Sequence, residues 1–229
     1  MDNLLIVIDK DGGELGPSET FLRSHIKTLT RDNEALVGNP CLRRFYSSGD
    51  YLHNQSVVAR AARWLQRKLA GKNVVQQDAD AVAKYISEKG IDKVMAEYGP
   101  SGTTAMHACE KAGVPLIVHF HGWDAYSYYM TKTYAAEYRE MFEKAKGIIA
   151  VSTDMKRQLV SLGCEEGKIF VNACGADLDA SLTKPPSSQL KRFVMVGRLT
   201  AKKAPITTLK AFAGAREHHK DITLDIVGD

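Results

Sequence analysis

The chain has 229 residues, 44% of them hydrophobic, which is enough for one sizeable core or for one full domain and part of another. Lys and Arg outnumber Asp and Glu by 31 to 27, and the resulting net charge of +4 is too small to indicate nucleic-acid binding. The four cysteines lack C-x-x-C spacing, which argues against a zinc knuckle or a disulfide framework and favours a reducing, cytoplasmic location. No apolar run approaches the roughly 18 residues that span a bilayer, and no signal-peptide pattern is present, so we expect no export.

Buried strands alternate with amphipathic helices along most of the chain. Apolar runs predict strands at 4–8, 35–37, 93–97, 116–120, 147–151, 168–171, 192–196 and 223–227. Helical periodicity predicts helices at 18–31, 57–69, 81–88, 103–112, 135–144, 153–162 and 205–218. The polar, aromatic segment 38–54 has no assignment, and the tyrosine-rich stretch between the strand at 116–120 and the helix at 135–144 is predicted to be a loop. Strands that alternate with helices over short connections predict an α/β fold with a doubly wound, Rossmann-like parallel sheet.

A stretch rich in Ser and Pro near residue 185 has the composition of a linker. We therefore predict an N-terminal domain over 1–182, a linker over 183–190 and a second domain over 191–229. The second domain holds one βαβ unit of about 40 residues, which is too small to bury a core of its own. We expect the chain to be cut short inside a second Rossmann-like domain.

A glycine pair, Gly12-Gly13, follows the first strand and precedes a helix that Ser18 is suited to cap. In this position a loop approaches a ligand closely, and the helix amides hold a phosphate or a sugar hydroxyl. A simple tight turn is an equally good interpretation.

The strand at 116–120 ends in a run of polar and aromatic residues that reaches Asp124. Ligands of open α/β sheets bind at this carboxyl edge, so we interpret His121 as a site residue. We interpret His119 as a structural residue whose imidazole lies in the core. Asp124 is suited to orienting an imidazole, binding a sugar hydroxyl or capping the next turn. Trp123 is suited to stacking on a sugar ring or to packing. His119 and His121 lack a further ligand at metal-binding spacing, so no metal site is predicted.

A basic loop follows the strand at 192–196 and precedes a helix. Gly197 allows the turn, while Arg198 and Lys203 converge where the helix N-terminus already favours an anion. The alternative is a solvated basic loop.

This loop carries the strongest resemblance to a known family. Residues 196–212 resemble the G-R-L-x-x-x-K-G segment of the retaining GT-B glycosyltransferases of glycosyltransferase family four, with Ala204 in place of the last Gly. The resemblance implies that Gly197, Arg198 and Lys203 bind the diphosphate of a nucleotide-sugar donor. It also implies that unit 1–182 is the acceptor-side, GT-B N-terminal domain.

Three weaker matches lie in the same order along the chain. The segment from His119 to Asp124 is similar to the family's T-F-H-G-x-D, which implies catalytic roles for His121 beside the transferred sugar and for Asp124. Residues 12–21 resemble the first glycine-rich loop, which assigns Gly12, Gly13, Ser18 and Glu19 to a donor or acceptor loop. Residues 151–178 are similar to the approach to the interdomain crossing, although 172–175 departs from its usual Pro-Asn-Gly.

The resemblance implies transfer of a sugar from a nucleotide-sugar to a hydroxyl of a saccharide or lipid-linked saccharide, with retention of configuration. It is closest to bacterial enzymes of exopolysaccharide or lipid-linked oligosaccharide synthesis, and it implies no metal or other cofactor. A lipid-linked acceptor implies peripheral membrane contact at the inner face of the membrane. No amphipathic basic helix is distinct enough in the sequence to carry that contact.

The family's pair of glutamates around G-F-G-L-P has no counterpart here, so we expect the 229-residue chain to be inactive alone. Two alternatives remain open. One is a glycan- or partner-binding module without turnover, and the other is a sugar-nucleotide epimerase of the same architecture. A metal hydrolase built on His119 and His121 ranks below both.

Overall fold

A computed structural model of the chain describes residues 3–11, 13–16, 19–32, 34–175 and 191–228. The chain divides into two compact units, unit 1 over residues 1–176 and unit 2 over residues 177–229. The predicted linker 183–190 and its two boundaries lie outside the described residues.

Unit 1 is built on a seven-stranded sheet. Its strands are β1 (Leu4–Ile8), β2 (Ala35–Val37), β3 (Arg44–Phe45), β4 (Lys93–Glu97), β5 (Leu116–Phe120), β6 (Gly147–Ala150) and β7 (Ile169–Val171). They lie in the order β3-β2-β1-β4-β5-β6-β7, and every neighbouring pair is parallel except β2 and β3. The non-consecutive step from β1 to β4 reverses the winding direction, so the predicted doubly wound α/β fold is confirmed.

Both faces of this sheet are buried, which explains why its strands have near-continuous apolar sequences rather than alternating ones. In β1, Leu5 and Val7 face one core cluster while Ile6 and Ile8 face the other. Two cores on opposite faces require helices on both sides of the sheet.

Eight helices in the described part of unit 1 cover these faces. They are α1 (Thr20–Leu29), α2 (Val57–Ala70), α3 (Val74–Lys89), α4 (Gly99–Ala112), α5 (Trp123–Tyr126), α6 (Tyr128–Thr133), α7 (Ala135–Lys144) and α8 (Thr153–Ser161). Helix α1 buries Leu22 and Ile26 in one core, while α3, α4, α7 and α8 contribute to the other. In the described residues, no helix combines the length and apolar character that a bilayer crossing requires.

Several helix starts differ from the sequence prediction. Helix α3 begins at Val74 rather than at residue 81, because Asn73 and Gln76 cap it reciprocally with two 2.9 Å hydrogen bonds. Helix α4 begins at Gly99 rather than at residue 103, and α1 begins at Thr20 rather than at Ser18. The stretch after β5, predicted as a loop, contains α5 and α6, and the unassigned segment 38–54 contains β3.

Strand register sets the position of the carboxyl edge. Ile8 pairs with Glu97 across β1 and β4, and Glu97 pairs with His119 across β4 and β5. The three strands therefore end within one residue of each other, since β5 continues to Phe120, and the residues that follow them meet at one edge of the sheet.

Unit 2 is the predicted βαβ unit: β8 (Arg192–Val196) and β9 (Thr223–Val227) pair in parallel, joined through α9 (Pro205–His218). Among its described residues only Ile222 is buried. This agrees with the expectation that one such unit is too small to form a core of its own.

Helix α4 is packed against the sheet so closely that its second turn requires a glycine. A Cβ at Gly102 would lie 2.4 Å from the Met141 sulfur of α7 and 2.8 Å from a Val118 methyl of β5. The backbone of α4 is therefore in direct contact with β5 and α7.

We expect Gly102→Ala to lower the free energy of unfolding by about 1–3 kcal/mol, because the added methyl overpacks this contact. Urea unfolding followed by circular dichroism measures the change. The Met141→Ala background supplies the control, since removing the sulfur should make the two substitutions less than additive. Additive effects would show that the cost does not arise at this contact.

Candidate active site

A buried glutamate lies at the centre of the carboxyl edge, with three histidines around it. Glu97 is fully buried, and its Oε1 lies 2.7 Å from His25 Nδ1 while its Oε2 lies 2.6 Å from His121 Nε2. His119 Nδ1 lies 3.3 Å from Oε2 but is not aligned as a hydrogen bond. We call these four residues the Glu97 cluster.

Glu97 is ionised despite its burial. Burial by itself would raise the pKa of this carboxyl, but its contacts with His119, His121 and His25 outweigh burial and hold the pKa well below its usual range. An ionised carboxylate can only accept hydrogen bonds, so His25 Nδ1 and His121 Nε2 donate. The Nδ1 atom of His121 then remains for another partner, and the sulfur of the exposed Cys174 lies 3.9 Å from it.

Aromatic rings hold the His121 imidazole in one orientation. Ring centroids of Phe21, Tyr98 and His119 lie 4.5, 5.0 and 4.1 Å from that of His121. The sequence predicts His119 in the core and His121 at the edge, and the structure buries His119 and leaves His121 half-buried just after β5. The two rings lie side by side, and both are in contact with Glu97.

Asp124 holds the loop after β5 through hydrogen bonds to its backbone. It is fully buried, and its Oδ1 accepts the N–H groups of His121 at 3.0 Å and Gly122 at 2.9 Å. Its Oδ2 accepts the N–H of Gly99, the first residue of α4, at 2.9 Å. Burial raises the pKa of the Asp124 carboxyl. All three contacts are with backbone, so this carboxylate ties the loop that carries His121 to the start of α4.

The glycine-rich loop is closed by Glu19. Its Oε2 accepts the N–H of Gly16 at 2.6 Å and forms an ion pair with Lys10. Gly13 has a φ of 68°, in the left-handed region that favours glycine. Gly12 and Ser18, the other predicted residues of this loop, lie outside the described residues.

A cleft of about 860 Å³ opens at this edge of unit 1. Its walls combine aromatic rings, among them Tyr98, Trp123 and Tyr134, with carboxylates from the loop after β1 and from α7. Tyr98 has a φ of 74°, which is uncommon for a residue with a side chain and is typical of functional sites. The residues that line the cleft are Asp9, Lys10, Asp11, Glu19, Asn39, Pro40, Asn73, Val75, Tyr98, Pro100, Thr103, Thr104, His107, Trp123, Tyr129, Met130, Thr133, Tyr134 and Glu137.

A buried ion network supports the floor of this cleft. The Arg43 guanidinium is buried and lies 2.7 Å from Asp9 Oδ1 and 2.8 Å from Asp78 Oδ2. Thr104 of α4 donates to the other Asp9 oxygen at 2.7 Å, and His53 Nε2 lies 3.3 Å from Asp78 Oδ1. Burial raises the pKa of Asp9, whereas the Arg43 charge opposes that shift.

Sequence reasoning missed Glu97, His25 and Arg43. A charged residue at the end of an otherwise apolar strand was a usable signal for Glu97. No local pattern marks His25 or Arg43, because each meets its partner only through the packing of distant segments.

The Glu97 cluster also offers atoms that a metal could use. His119, His121 and Cys174 form one group of closely spaced ligand atoms, and His25, Glu97 and His119 form another. Both groups depend on His119, whose ring nitrogens have no hydrogen-bond partner among the residues that the structure describes. A metal in the second group would have to replace the hydrogen bond between His25 and Glu97.

Unit 2 presents its basic loop at the carboxyl end of β8. Gly197 donates its N–H to the Val227 carbonyl at 2.9 Å, and a Cβ at Gly228 would lie 1.9 Å from the Gly197 carbonyl oxygen. The ends of β8 and β9 are therefore in backbone contact. Arg198 and Lys203 are exposed, and within the described ranges neither pairs with a carboxylate.

Ala204 adopts a backbone conformation that glycine prefers. Its φ of 52° and ψ of 46° lie in the left-handed region, directly before α9. A Cβ in this region costs roughly 1–2 kcal/mol. This geometry gives a physical reason for the glycine that the resembling family has at this position.

Comparison with known proteins identifies the family of the chain. The model of Glycosyltransferase Family 4 matches residues 36–180, more than half of the chain. The chain belongs to glycosyltransferase family 4. The match runs from β2 of unit 1 to residue 180 and therefore includes the Glu97 cluster except for His25.

Curated relatives of the family align over part of their length. A putative colanic acid biosynthesis glycosyltransferase, WcaL of Escherichia coli, is 28% identical over 60% of this chain and 35% of its own length. An uncharacterized glycosyltransferase of Bacillus subtilis, YqgM, is 27% identical over 62% of this chain and 40% of its own length. The aligned region thus spans only a little over a third of these relatives.

Solved structures share the GT-B fold. HepE of Anabaena in complex with UDP-glucose has a TM-score of 0.60 and 16% identity, covering 98% of this chain and 68% of that one. A glycosyltransferase from Rickettsia africae has a TM-score of 0.61 and 16% identity, covering 100% of this chain and 61% of that one.

We expect Glu97→Gln to lower the free energy of unfolding at neutral pH by about 1–3 kcal/mol, because buried N–H donors lose an ionised acceptor. The folded pKa of Glu97 lies below its ordinary value of 4.5. Its stabilisation is therefore fully present above that value and is lost as the pH falls through the folded pKa. The difference between wild type and Glu97→Gln should shrink as the pH falls below 4.5, measured by urea unfolding across the acid range.

The matched control is Glu88→Gln on the exposed face of α3, which should change stability by less than about 0.5 kcal/mol at any pH. A difference for Glu97→Gln that stays constant down to about pH 3 would show that folding does not lower the pKa of Glu97.

We expect Ala204→Gly to raise the free energy of unfolding by about 0.5–1 kcal/mol. Relief of the left-handed strain exceeds the entropy that glycine adds to the unfolded chain. Ala213→Gly, on the exposed and regular part of α9, should instead lower it by about 1 kcal/mol. Thermal unfolding of both variants measures the two changes in stability. An equal loss of stability in both variants would argue against strain at Ala204.

Proposed function

We propose that this protein is a retaining glycosyltransferase that moves a sugar from a nucleotide-sugar to a hydroxyl of a saccharide or lipid-linked saccharide. The assignment to sugar transfer rests on the family match over residues 36–180. The E. coli and B. subtilis relatives are both named glycosyltransferases, the first of them in colanic acid biosynthesis. This supports a role in polysaccharide or glycolipid synthesis. The UDP-glucose bound to HepE supports a nucleotide-sugar as the donor class.

The donor diphosphate is bound by the basic loop of unit 2. Gly197 turns the chain at the end of β8, Arg198 follows it, and Lys203 is the last residue of the short 3₁₀ turn that precedes α9. Arg198 supplies a planar fork for two phosphate oxygens, Lys203 supplies a point charge, and the N-terminus of α9 adds its dipole. As the sugar–phosphate bond breaks, negative charge grows on the leaving diphosphate, and fixed cations stabilise it without a metal.

His121 contacts the transferred sugar at the carboxyl edge of unit 1. Glu97 fixes the tautomer of His121 by accepting from Nε2 at 2.6 Å, so that Nδ1 is available to a sugar hydroxyl. Asp124 acts as a positioning residue, because its oxygens hold the backbone of His121 and Gly122.

The acceptor binds in the cleft of unit 1. Its volume of about 860 Å³ lies within the usual range of small-molecule sites. Trp123 and Tyr134 offer ring faces to the apolar faces of a sugar, while Asp9, Asp11 and Glu137 offer oxygens to its hydroxyls. The loop that Glu19 closes forms one wall of the same cleft.

The test measures release of nucleoside diphosphate from a panel of UDP-, GDP- and ADP-linked sugars with saccharide acceptors. It is run on the 229-residue chain and on the protein isolated from its native source, because the aligned region covers only 35% of the E. coli relative. We expect Arg198→Ala and Lys203→Ala each to lower kcat/KM by about 10²–10³-fold. Lys202→Ala, one residue away in the same loop, is the matched control and should cost less than about tenfold.

His121→Ala distinguishes the role proposed for His121 in sugar transfer from the role proposed for the basic loop of unit 2 in binding the nucleotide. It should lower kcat by about 10²-fold or more while nucleotide affinity, measured by calorimetry, stays unchanged. Glycan binding without release of nucleoside diphosphate from either preparation would favour the binding module. Conversion of a nucleotide-sugar to its epimer without transfer would favour the epimerase.

A further inference from the structure

Three side chains of the kinds that bind metals meet at the carboxyl edge of unit 1. His119 lies in β5, His121 directly follows that strand, and Cys174 follows β7. One ring nitrogen of each histidine and the Cys174 sulfur all lie within 4.8 Å of one another. We call these three residues the thiol–histidine group. The cysteine is 53 residues from His121 in the sequence, so local spacing could not reveal the group.

The imidazole of His119 is buried without a hydrogen bond. It is 3% exposed, and neither ring nitrogen has a hydrogen-bond partner among the residues that the structure describes. A buried polar group without a partner costs roughly 1–3 kcal/mol, and it points to an ion or water as its partner. A neutral imidazole binds a metal through the lone pair of one nitrogen. His119 is therefore suited to a metal held by the group.

His121 has the protonation that a metal ligand needs. Its Nε2 donates to the buried Glu97 carboxylate at 2.6 Å, so the lone pair lies on Nδ1. Nδ1 is also the atom that lies 3.9 Å from the Cys174 sulfur. Histidines that bind metals almost always donate their other ring N–H to a carboxylate, a carbonyl or water, which fixes the orientation of the ring. Glu97 supplies such a partner for His121.

The types of ligand favour zinc. Thiolate and imidazole are common ligands of Zn²⁺, whereas Mg²⁺ and Ca²⁺ prefer oxygen. A tetrahedral zinc site with the usual bond lengths places sulfur and nitrogen about 3.5 Å apart. The observed 3.9 Å between Cys174 and His121 requires only a small closing movement. The alternative group of His25, Glu97 and His119 suits a metal less well, because it would lose the hydrogen bond between His25 and Glu97.

The charges around the group balance a divalent ion. On binding, Zn²⁺ forms a bond to the Cys174 sulfur, and the thiol proton leaves to solvent. Both imidazoles stay neutral, so the thiolate and the ionised Glu97 together cancel the charge of the ion. Charge that is removed from water is tolerated where it is paired in this way. Cys174 is exposed, which gives an ion access to the group from solvent.

We propose that His119, His121 and Cys174 bind one Zn²⁺ ion, with Glu97 as the hydrogen-bond partner of His121. Three protein ligands leave the fourth position of a tetrahedral ion to water. The ion would occupy Nδ1 of His121, the atom that we assign to a sugar hydroxyl. Zinc should therefore inhibit sugar transfer. This consequence rests on the proposed function, whereas zinc binding itself does not.

The test uses Co²⁺ as a spectroscopic substitute for zinc. The 229-residue chain is reduced, freed of metal with a chelator and titrated with Co²⁺. We expect a thiolate-to-cobalt charge-transfer band in the ultraviolet, visible bands of tetrahedral intensity and saturation at one ion per chain. Zn²⁺ should displace Co²⁺ and remove these bands, because thiolate ligands favour zinc. Calorimetry then measures the affinity for Zn²⁺.

Cys174→Ser should remove the charge-transfer band and weaken zinc binding by at least about 100-fold. Glu97→Gln should weaken zinc binding by about 10–100-fold, the usual cost of losing the partner of a metal-binding histidine. The matched control is Cys41→Ser, because Cys41 is also an exposed free cysteine of unit 1. It should leave both the band and the affinity unchanged. Circular dichroism checks that each variant is folded.

Three results would overturn the proposal. They are cobalt spectra without the charge-transfer band, a band that Cys41→Ser removes and Cys174→Ser leaves, and zinc affinity that His25→Gln weakens but Cys174→Ser does not. The last result would place the ion between His25, Glu97 and His119.

Zinc inhibition is measured in the transfer assay, with each variant compared with its own zinc-free rate. The fold inhibition should be smaller for Cys174→Ser than for wild type. Equal inhibition of both would show that zinc acts elsewhere and would overturn the link to transfer. Cobalt binding through Cys174 in a protein that transfers no sugar would support the metal site and count against the proposed function alone, so the two failures are distinguishable.

Discussion

The ionised Glu97 is the constraint on which the rest of the candidate site depends. A carboxylate with no exposure to water is tolerated only where donors replace its hydration. Its donors come from α1 through His25 and from the end of β5 through His121. The requirement to satisfy this one charge therefore holds two distant segments against the end of β4. The same requirement fixes the proton of His121 on Nε2. The packing around Glu97 therefore also determines that Nδ1 is the nitrogen of His121 that remains for another partner.

Buried charge is concentrated at this edge of unit 1. The Arg43 network joins Asp9 after β1 to Asp78 of α3, and Asp124 holds the loop after β5. Breaking such a network would leave a buried charge without a partner. Polar networks of this kind therefore rigidify their surroundings. The cleft consequently has a rigid floor, while its aromatic walls come from α5, α6 and the segment before α7. A floor held by buried ion pairs suits the acceptor site that we propose for this cleft.

Helix α2 has the opposite arrangement, with polar contacts towards the protein and apolar side chains towards solvent. The same sequence pattern would describe an ordinary core helix, since periodicity reveals that a stripe exists but not what covers it.

The sequence by itself determined the order of strands and helices, the α/β class and the βαβ form of unit 2, because these follow from local apolar periodicity and short connections. It also singled out the loop at Gly197 and the residues after β5, whose types and spacing are local. The tertiary structure decided the Glu97 cluster, the Arg43 network and the outward face of α2. Each of these joins residues far apart in sequence, and the ionisation, orientation or exposure of a side chain depends on which distant segments pack around it.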